Sequence, residues 1–233
     1  MKTQRDVFVG VWVRPSDDPL KQVGRHHTYE ELKLVVEEIV RALNIRPDDV
    51  VLDVCCGNGI ITKMVSRYCK EIHGVDYSEV LISTAKEKNS GSNIHYYKEN
   101  ALNIDRIFPP NFFDKCYCQL AFQYFNGKTG KELIRKMATV TKKGGLIYIG
   151  EIPDKTKIWR YYDTPRKKLR FIKKTVMHRI LGKGEDSLGW WWHPDQIERI
   201  CRELNLQCKI MYSDERLPHA YYRFNALIKI PEG

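Results

Sequence analysis

The sequence has no long apolar run. No stretch approaches the roughly 20 apolar residues that cross a bilayer as a helix, so nothing reads as a membrane span. An apolar stretch near the N-terminus, Val7-Phe8-Val9-Gly10-Val11-Trp12-Val13, is closed by Arg14, Asp17 and Asp18, too short for a secretory leader with its cleavage site. Internal repeats and low-complexity segments are absent. Metal-ligand spacing is missing too. The seven cysteines, Cys55, Cys56, Cys69, Cys116, Cys118, Cys201 and Cys208, are odd in number and irregularly placed. Cys116-Tyr117-Cys118 sits in an alternating, strand-like run with no second Cys/His pair at ligand distance. No metal site is therefore expected, and the cysteines read as small buried apolar residues. These absences leave one globular domain over 1–233, expected in the cytoplasm, whose oligomeric state the sequence does not set.

What is abundant is positive charge, and it is local. The formal net charge is +10. Between Lys155 and Lys183 stand eleven Lys/Arg and a single acid, Asp163, so this segment carries the whole excess. A broadly basic protein would suggest a nucleic-acid surface. One basic segment suggests a local site for something anionic.

Hydrophobic periodicity then gives an alternation. After Thr28, which forms a capping box with Glu31, Leu32, Val35, Val36, Ile39, Val40 and Leu43 recur at helical spacing. Residues 1–46 are read as an N-terminal helical cap. Strands are expected at Val50–Val54, Ile72–Val75, Ile94–Tyr97, Cys116–Leu120 and Leu146–Ile149, with helices at Ile60–Tyr68, Ser78–Lys88 and Lys131–Thr141. Strands alternating with helices predict an α/β domain with a parallel sheet covered on both faces. Residues 154–192 interrupt the rhythm as a basic, aromatic insertion. Pro165 opens a helix there, with Leu169, Ile172, Val176, Ile180 and Leu181 along one side, ended by Gly182 and Gly184. This insertion is expected to fold back on the domain as a lid. A helix over Pro194–Leu204 and two strands, Cys208–Tyr212 and Tyr222–Ile230, follow. The short link between those strands makes them antiparallel.

Chemistry is expected where strands end. Val51-Leu52-Asp53-Val54-Cys55-Cys56-Gly57-Asn58-Gly59-Ile60 is a buried strand, a glycine-containing turn and a helix start, the place where open α/β sheets bind ligands. Gly57 and Gly59 allow close backbone approach. Asp53, an anion at the strand end, would repel phosphate but suits a cationic amino acid moiety. Asp76, beside Tyr77, can accept both hydroxyls of an adenosine ribose. Glu99-Asn100-Ala101 can read an adenine edge, and Gln119-Leu120-Ala121-Phe122 ends the fourth strand beside the reacting centre. A nicotinamide fingerprint would need a third glycine, which Gly57-Asn58-Gly59-Ile60-Ile61-Thr62 lacks.

Taken together, these segments resemble the class I S-adenosylmethionine-dependent methyltransferases, from about Thr28 onwards. Asp53-Val54-Cys55-Cys56-Gly57-Asn58-Gly59 stands where that family has acid-x-Gly-x-Gly-x-Gly, with Cys55 replacing the first glycine. Quinone C-methyltransferases show a similar Cys-Cys-Gly. Asp76 matches the family's ribose acid, Asn100-Ala101 its adenine segment, and Lys142-Lys143-Gly144-Gly145 its Lys-Pro-Gly-Gly turn. The resemblance implies S-adenosylmethionine as cofactor, held by Asp53, Cys55, Gly57, Asn58, Gly59, Asp76, Tyr77, Asn100, Ala101 and Gln119. It also implies a seven-stranded sheet in the order 3-2-1-4-5-7-6 with the last strand reversed and an insertion after strand 5. Gln22-Val23-Gly24-Arg25, Trp192-His193-Pro194 and Tyr222-Arg223-Phe224 are similar to a subgroup found among O-antigen and exopolysaccharide biosynthesis proteins.

For the acceptor, the fourth strand is not followed by an Asn-Pro-Pro-Tyr or Asp-Pro-Pro-Tyr motif or by a Pro-Cys nucleophile, which weighs against the base-amine and RNA cytosine-C5 enzymes. Three residues could act as the base for an oxygen acceptor: Glu151 after the fifth strand, His193 before the Pro194 helix, and His219 between the last two strands. Tyr124, Tyr221 and Tyr222 could position a ring. The basic segment suits a small anionic acceptor such as a nucleotide sugar or lipid-linked sugar. Its interleaved aromatics equally allow an RNA acceptor, and its amphipathic helix with the following three Trp a lipid or quinone at a membrane surface. A non-enzymatic, cofactor-binding partner subunit is the remaining reading.

Overall fold

The computed structural model describes residue 18, residues 28–181 and residues 188–232. The run Val7–Val13, the Gln22–Arg25 motif, most of the expected cap before Thr28, and Gly182, Lys183 and Gly184 lie outside the described residues. In chain order the elements are α1 (Tyr29–Leu43), β1 (Val50–Val54), α2 (Ile60–Val65), β2 (Glu71–Asp76), α3 (Glu79–Lys88), β3 (Ile94–Lys98), α4 (Ile104–Ile107), β4 (Phe113–Gln119), α5 (Gly127–Val140), β5 (Thr141–Pro153), α6 (Ile158–Tyr161), α7 (Pro165–Leu181), α8 (Pro194–Glu203), β6 (Gln207–Met211) and β7 (Arg223–Lys229). The seven strands form one sheet in the order β3-β2-β1-β4-β5-β7-β6. The pairs among β1 to β5 are parallel, and β7 runs antiparallel to both β5 and β6. This is the expected α/β class I arrangement.

Strand residues alternate between two cores, as a period of two requires. Leu52, Val54, Cys116, Cys118, Ile147 and Ile149 face a core completed by Leu133, Ile134, Met137 and Val140 of α5 and Ile197, Ile200 and Cys201 of α8. Val51, Ile72, Tyr117 and Tyr148 face the other, covered by Val35, Val36, Ile39 and Leu43 of α1 and Ile82 and Ala85 of α3. The Thr28 cap forms as expected: Glu31 N donates to Thr28 Oγ1 (3.2 Å) and Thr28 N to Glu31 Oε2 (2.8 Å).

Several boundaries move for identifiable reasons. β4 starts at Phe113 rather than Cys116, because Asp114 and Lys115 hide the apolar signal, although Lys115 pairs with Val51 and Leu146 and Asp114 sits at a register shift within the strand. Asp114 Oδ2 even accepts from Val50 N at 2.9 Å. α5 starts at Gly127 rather than Lys131, because Asn126 Oδ1 accepts from Lys128 N and Thr129 N, both at 3.0 Å. The link between β6 and β7 is longer than expected and carries a 3-10 turn at Ala220–Tyr222. The insertion does contain a helix opened by Pro165, but the described part of its apolar stripe does not fold back, and the side chains of Ile180 and Leu181 lie outside the described residues. Leu169, Ile172 and Val176 are 54%, 48% and 46% exposed. Phe171, on another side of the helix, packs on the body instead, with its ring 4.6 Å from that of Tyr162.

One buried carboxylate fixes α1 on the sheet. Glu38 accepts from Tyr148 Oη (2.5 Å), Asn225 Nδ2 (2.5 Å) and Ser213 Oγ (3.1 Å). A buried acid without such donors would cost several kcal/mol, on the order of its lost hydration. Here it joins α1, β5 and β7, and Asn225 carries the connection on to the sheet edge described next.

Candidate functional site

The carboxyl ends of β1, β2 and β4 supply the first half of the site. Asp53 sits opposite Gly74 of β2 and Tyr117 of β4. Its Oδ2 accepts from Thr62 Oγ1 at 2.6 Å and Tyr117 Oη at 2.8 Å. Burial dominates its titration and pushes its pKa up to about 7, against the two hydroxyl hydrogen bonds, which favour the ionised form, and with a smaller push from the nearby Asp76. The turn that follows places Cys55, Gly57 and Gly59 in the left-handed region, at φ 63, 59 and 75. Cys55 thus accepts a conformation that costs a non-glycine residue about 1–2 kcal/mol. Its thiol, hydrogen-bonded to that of Cys118 and buried, is pushed well above the usual range and stays protonated. Gly59 is required twice over, since a Cβ there would lie 2.3 Å from Tyr96 Oη. Asn58 is buried in a structural role: its carbonyl accepts from Asn89 Nδ2 at 2.8 Å.

Asp76 closes this half. Its Oδ2 accepts from Gly57 N (3.0 Å) and its Oδ1 from Ser78 N (2.9 Å). Burial raises its pKa, and these backbone donors oppose the rise. With Ser78, Gly57 and Tyr77 as its backbone donors, the carboxylate keeps capacity for a further donor. Tyr77 beside it is exposed. Asn100 spends Oδ1 on Leu102 N (3.1 Å), which leaves its Nδ2 as the donor to an incoming ring, and Ala101 is buried behind it. At the end of β4, the buried Gln119 Oε1 has no hydrogen-bond partner among the described residues. Gly150 opposite leaves room for it, since a Cβ there would lie 1.8 Å from that oxygen. A buried acceptor without a donor costs about 1–3 kcal/mol, and a ligand ammonium would remove that cost. Orphaned acceptor, buried acid, double-acceptor Asp76 and side-chain-free turn together fit the cationic amino acid, the ribose and the purine of S-adenosylmethionine.

The ends of β5 and β7 supply the second half. Glu151 is buried and adopts φ 61, where the β5–β7 register slips between Ile149 and Ile152. Three contacts hold this backbone in place. Glu151 N donates to Asn225 Oδ1 at 2.7 Å, Arg223 Nη1 donates to Glu151 O, and Arg223 Nε lies 3.7 Å from Glu151 Oε2. Arg223 is itself buried, 5.1 Å over the Tyr222 ring. His219 Nδ1 lies 3.4 Å from Tyr222 Oη. The structure therefore connects Glu151 and His219 through Arg223 and Tyr222. It does not connect His193 to them: His193 N donates to Gln196 Oε1 at the start of α8, and its ring lies 3.5 Å from Asp195. Around Tyr222 pack Tyr161 (4.9 Å), Trp191 (5.9 Å) and Tyr221 (4.8 Å), with Tyr162 against Tyr161. Tyr124, in the turn after β4, accepts from Gln123 Nε2 at 3.1 Å. Arg223 and Asn225 escape a sequence reading because buried polar side chains look like the solvent side of a strand. Among the described residues no group of three His, Cys, Asp or Glu is placed to hold a metal ion.

The raised Asp53 pKa gives a pH dependence with a defined sign. An unfolded aspartate loses its proton near 3.8 and the folded one near 7, so the folded, ligand-free chain holds a proton that the unfolded chain has lost. Ligand-free stability is therefore full below pH 4 for this group and falls, by about 4 kcal/mol in all, as pH rises to 7. An ammonium bound beside Asp53 selects the ionised form, so cofactor affinity runs the other way. It is expected to drop about tenfold for each pH unit below 7 and to level off above it. Calorimetry of S-adenosylmethionine binding between pH 5.5 and 8.5 checks this, and the slope should vanish in Asp53→Asn. A flat profile in the wild-type chain would place the ammonium elsewhere.

Residues 51–145 match the methyltransferase domain family. The chain is similar to the demethylmenaquinone methyltransferases of Staphylococcus haemolyticus, 29% identical over 172 residues covering 70% of this chain and 67% of that one, and of Geobacillus stearothermophilus, 25% identical over 165 residues covering 66% of each. It thus spans about two thirds of the length of the curated relatives it matches. Among solved structures it resembles an S-adenosylmethionine-dependent methyltransferase of Methanosarcina mazei (TM-score 0.63, 16% identity, 82% of this chain and 96% of that one). It also resembles the magnesium protoporphyrin IX methyltransferase of Synechocystis with bound cofactor (TM-score 0.58, 13% identity, 86% and 78%).

Proposed function

We propose that this S-adenosylmethionine-dependent methyltransferase, built on the class I fold, methylates a planar, largely apolar ring bearing a hydroxyl, of the type of a reduced prenyl-naphthoquinone. The observation that carries the reading is the company of Glu151. Its ion-pair partner Arg223 lies over the buried ring of Tyr222, which packs with the buried Trp191 and Tyr162 and the partly exposed Tyr161, with Ile158, Phe171 and Leu188 packed on them. Aromatic walls favour a flat apolar guest, through area and ring-ring contact. A phosphorylated sugar needs several cations, and two cations of the insertion are engaged while four others are exposed on α7. Lys157 lies 3.7 Å from Asp154 and over the Tyr212 ring, Lys167 is 2.8 Å from Asp163, and Arg166, Lys168, Arg170 and Lys173 are exposed on α7. The Cys-Cys-Gly turn and the demethylmenaquinone methyltransferase relatives support the same acceptor class.

Bound S-adenosylmethionine supplies a methyl group on a positively charged sulfur. Asp53 and Gln119 would hold its ammonium, Asp76 its ribose, and Asn100 and Ala101 its adenine. Glu151 would take the proton of the ring hydroxyl, held in place by Arg223 and Asn225. The ring, now electron-rich, can take the methyl at the hydroxyl oxygen, which leaves a neutral thioether behind, or at the adjacent carbon, which must then give up its ring proton to water while the oxygen regains a proton to restore the aromatic ring. Tyr161, Tyr162 and Trp191, from the two ends of the insertion, would exclude water above it, so residues 154–192 act as a lid by their ends rather than by α7.

The test is labelled methyl transfer by the purified chain to a panel of acceptors. A short-tailed demethylmenaquinol, kept reduced, is expected to take up label, and nucleotide sugars are not. Transfer to a nucleotide sugar with none to the quinol would overturn the reading.

A further inference from the structure

The helix α7 has its amphipathicity turned outward. Leu169, Ile172 and Val176 fall on one stripe at helical spacing, and all three are close to half exposed. The contact with the body is made from another side. Phe171, about 130° away from the stripe on a 3.6-residue helix, packs on Tyr162 at 4.6 Å and lies 5.8 Å from Trp159. Trp159 is 49% exposed, with Lys168 Nζ 6.0 Å from its ring. Arg166 and Lys173 flank the stripe on one side and Lys168 on the other, all exposed. The helix sequence contains no acid, while the chain outside 155–183 is charge-balanced. An aliphatic stripe that faces away from its own domain, bordered by cations on both sides, is complementary to an anionic lipid surface, where apolar residues enter the acyl boundary and Lys/Arg meet the headgroups. Nucleic acid fits less well, because aliphatic side chains offer bases nothing to stack on.

The position adds a reason. Both ends of the insertion are tied to the sheet edge that bears Glu151: Trp192 N donates to Pro153 O (2.9 Å) and Lys155 N to Trp192 O (2.8 Å). We infer that α7 is a membrane-docking helix that seats this edge of the enzyme on an anionic bilayer. Among the described residues no helix is long and apolar enough to cross a membrane, so the contact is peripheral. The inference does not depend on the acceptor, and its test reads binding alone.

Co-sedimentation with vesicles decides it. The wild-type chain is expected to sediment with phosphatidylglycerol-rich vesicles and to stay in solution with pure phosphatidylcholine, and the binding should weaken as salt screens the charges. Two surface variants should each lose at least tenfold in vesicle affinity: Ile172→Asp with Val176→Asp, which removes the apolar stripe, and Arg166→Gln with Lys168→Gln, Arg170→Gln and Lys173→Gln, which removes the charge. Both should keep wild-type S-adenosylmethionine affinity, which shows that they fold. No sedimentation of the wild type, equal sedimentation with neutral vesicles, or full binding by the aspartate variant would each overturn the inference. So would a gel shift with RNA that the charge variant loses while vesicle binding is unchanged. Docking without quinol methylation would refute the proposed acceptor and leave the helix assignment standing.

Discussion

The Asp76→Ala variant is expected to bind S-adenosylmethionine about 10²–10⁴-fold more weakly than wild type, because two charge-assisted hydrogen bonds at about 1.5–3 kcal/mol each would go with the carboxylate. Asp76 ends β2, and its two oxygens already accept Gly57 N and Ser78 N. The substitution thus also loosens the turn that would carry the cofactor. The two effects separate in Asp76→Asn, which keeps one acceptor oxygen to hold the turn and lacks the charge. That variant should recover part of the affinity. The fold itself should survive. Burial raises the Asp76 pKa, so the folded chain holds the ionised form at a cost, and removing it relieves that cost. Calorimetric titration with S-adenosylmethionine and a melting curve for each variant give both quantities. Wild-type affinity in Asp76→Ala would mean that the ribose does not rest on this residue.

This half of the site was readable in the sequence because its signals are local. A buried strand, a turn with Gly57 and Gly59, and an acid at the end of the next strand are each contiguous, and the parallel sheet brings them to one edge. The alternation of strands and helices was readable for the same reason, since apolar periodicity switched between two and 3.6, whereas the order of the strands in the sheet was implied only by the resemblance to the class I methyltransferases. The other half was less readable. Asn225 and Arg223 alternate with Phe224 and Ala226 and so resemble an exposed face, yet both are buried, because Glu38 and Glu151 lie opposite them. Nothing near Arg223 in the chain announces Glu151, which is 72 residues away. Helix α7 misled for a different reason. Periodicity shows that Leu169, Ile172 and Val176 share a side, but it cannot say which side meets the protein. Phe171, the one aromatic residue on the helix, settled that by packing on Tyr162.

Glu151→Gln should lower turnover by about 10²–10⁴-fold, the usual contribution of a positioned base, while S-adenosylmethionine affinity stays as in wild type. Glutamine has the shape of glutamate and can leave the φ 61 backbone in place, since Asn225 Oδ1 and Arg223 Nη1 bind the Glu151 main chain rather than its carboxylate. What the substitution removes is the ability to take a proton, together with the charge that faces Arg223 Nε at 3.7 Å. A hydroxyl on a ring holds its proton at pH 7, so the loss should appear in kcat more than in the acceptor KM. The pH profile gives an independent reading. In the wild-type chain, turnover should fall on the acid side as the base becomes protonated, and in Glu151→Gln that limb should disappear, leaving a low rate that rises only as the acceptor ionises by itself. A merely structural role would instead lower the melting temperature and leave the acid limb in place. His219→Gln serves as the comparison, because His219 is linked to Glu151 through Tyr222 and Arg223. Its effect should be smaller and should act mainly on acceptor KM. If Glu151→Gln kept full turnover and the wild-type acid limb, Glu151 would not be the base, and a large loss in His219→Gln would move the proton transfer to that residue.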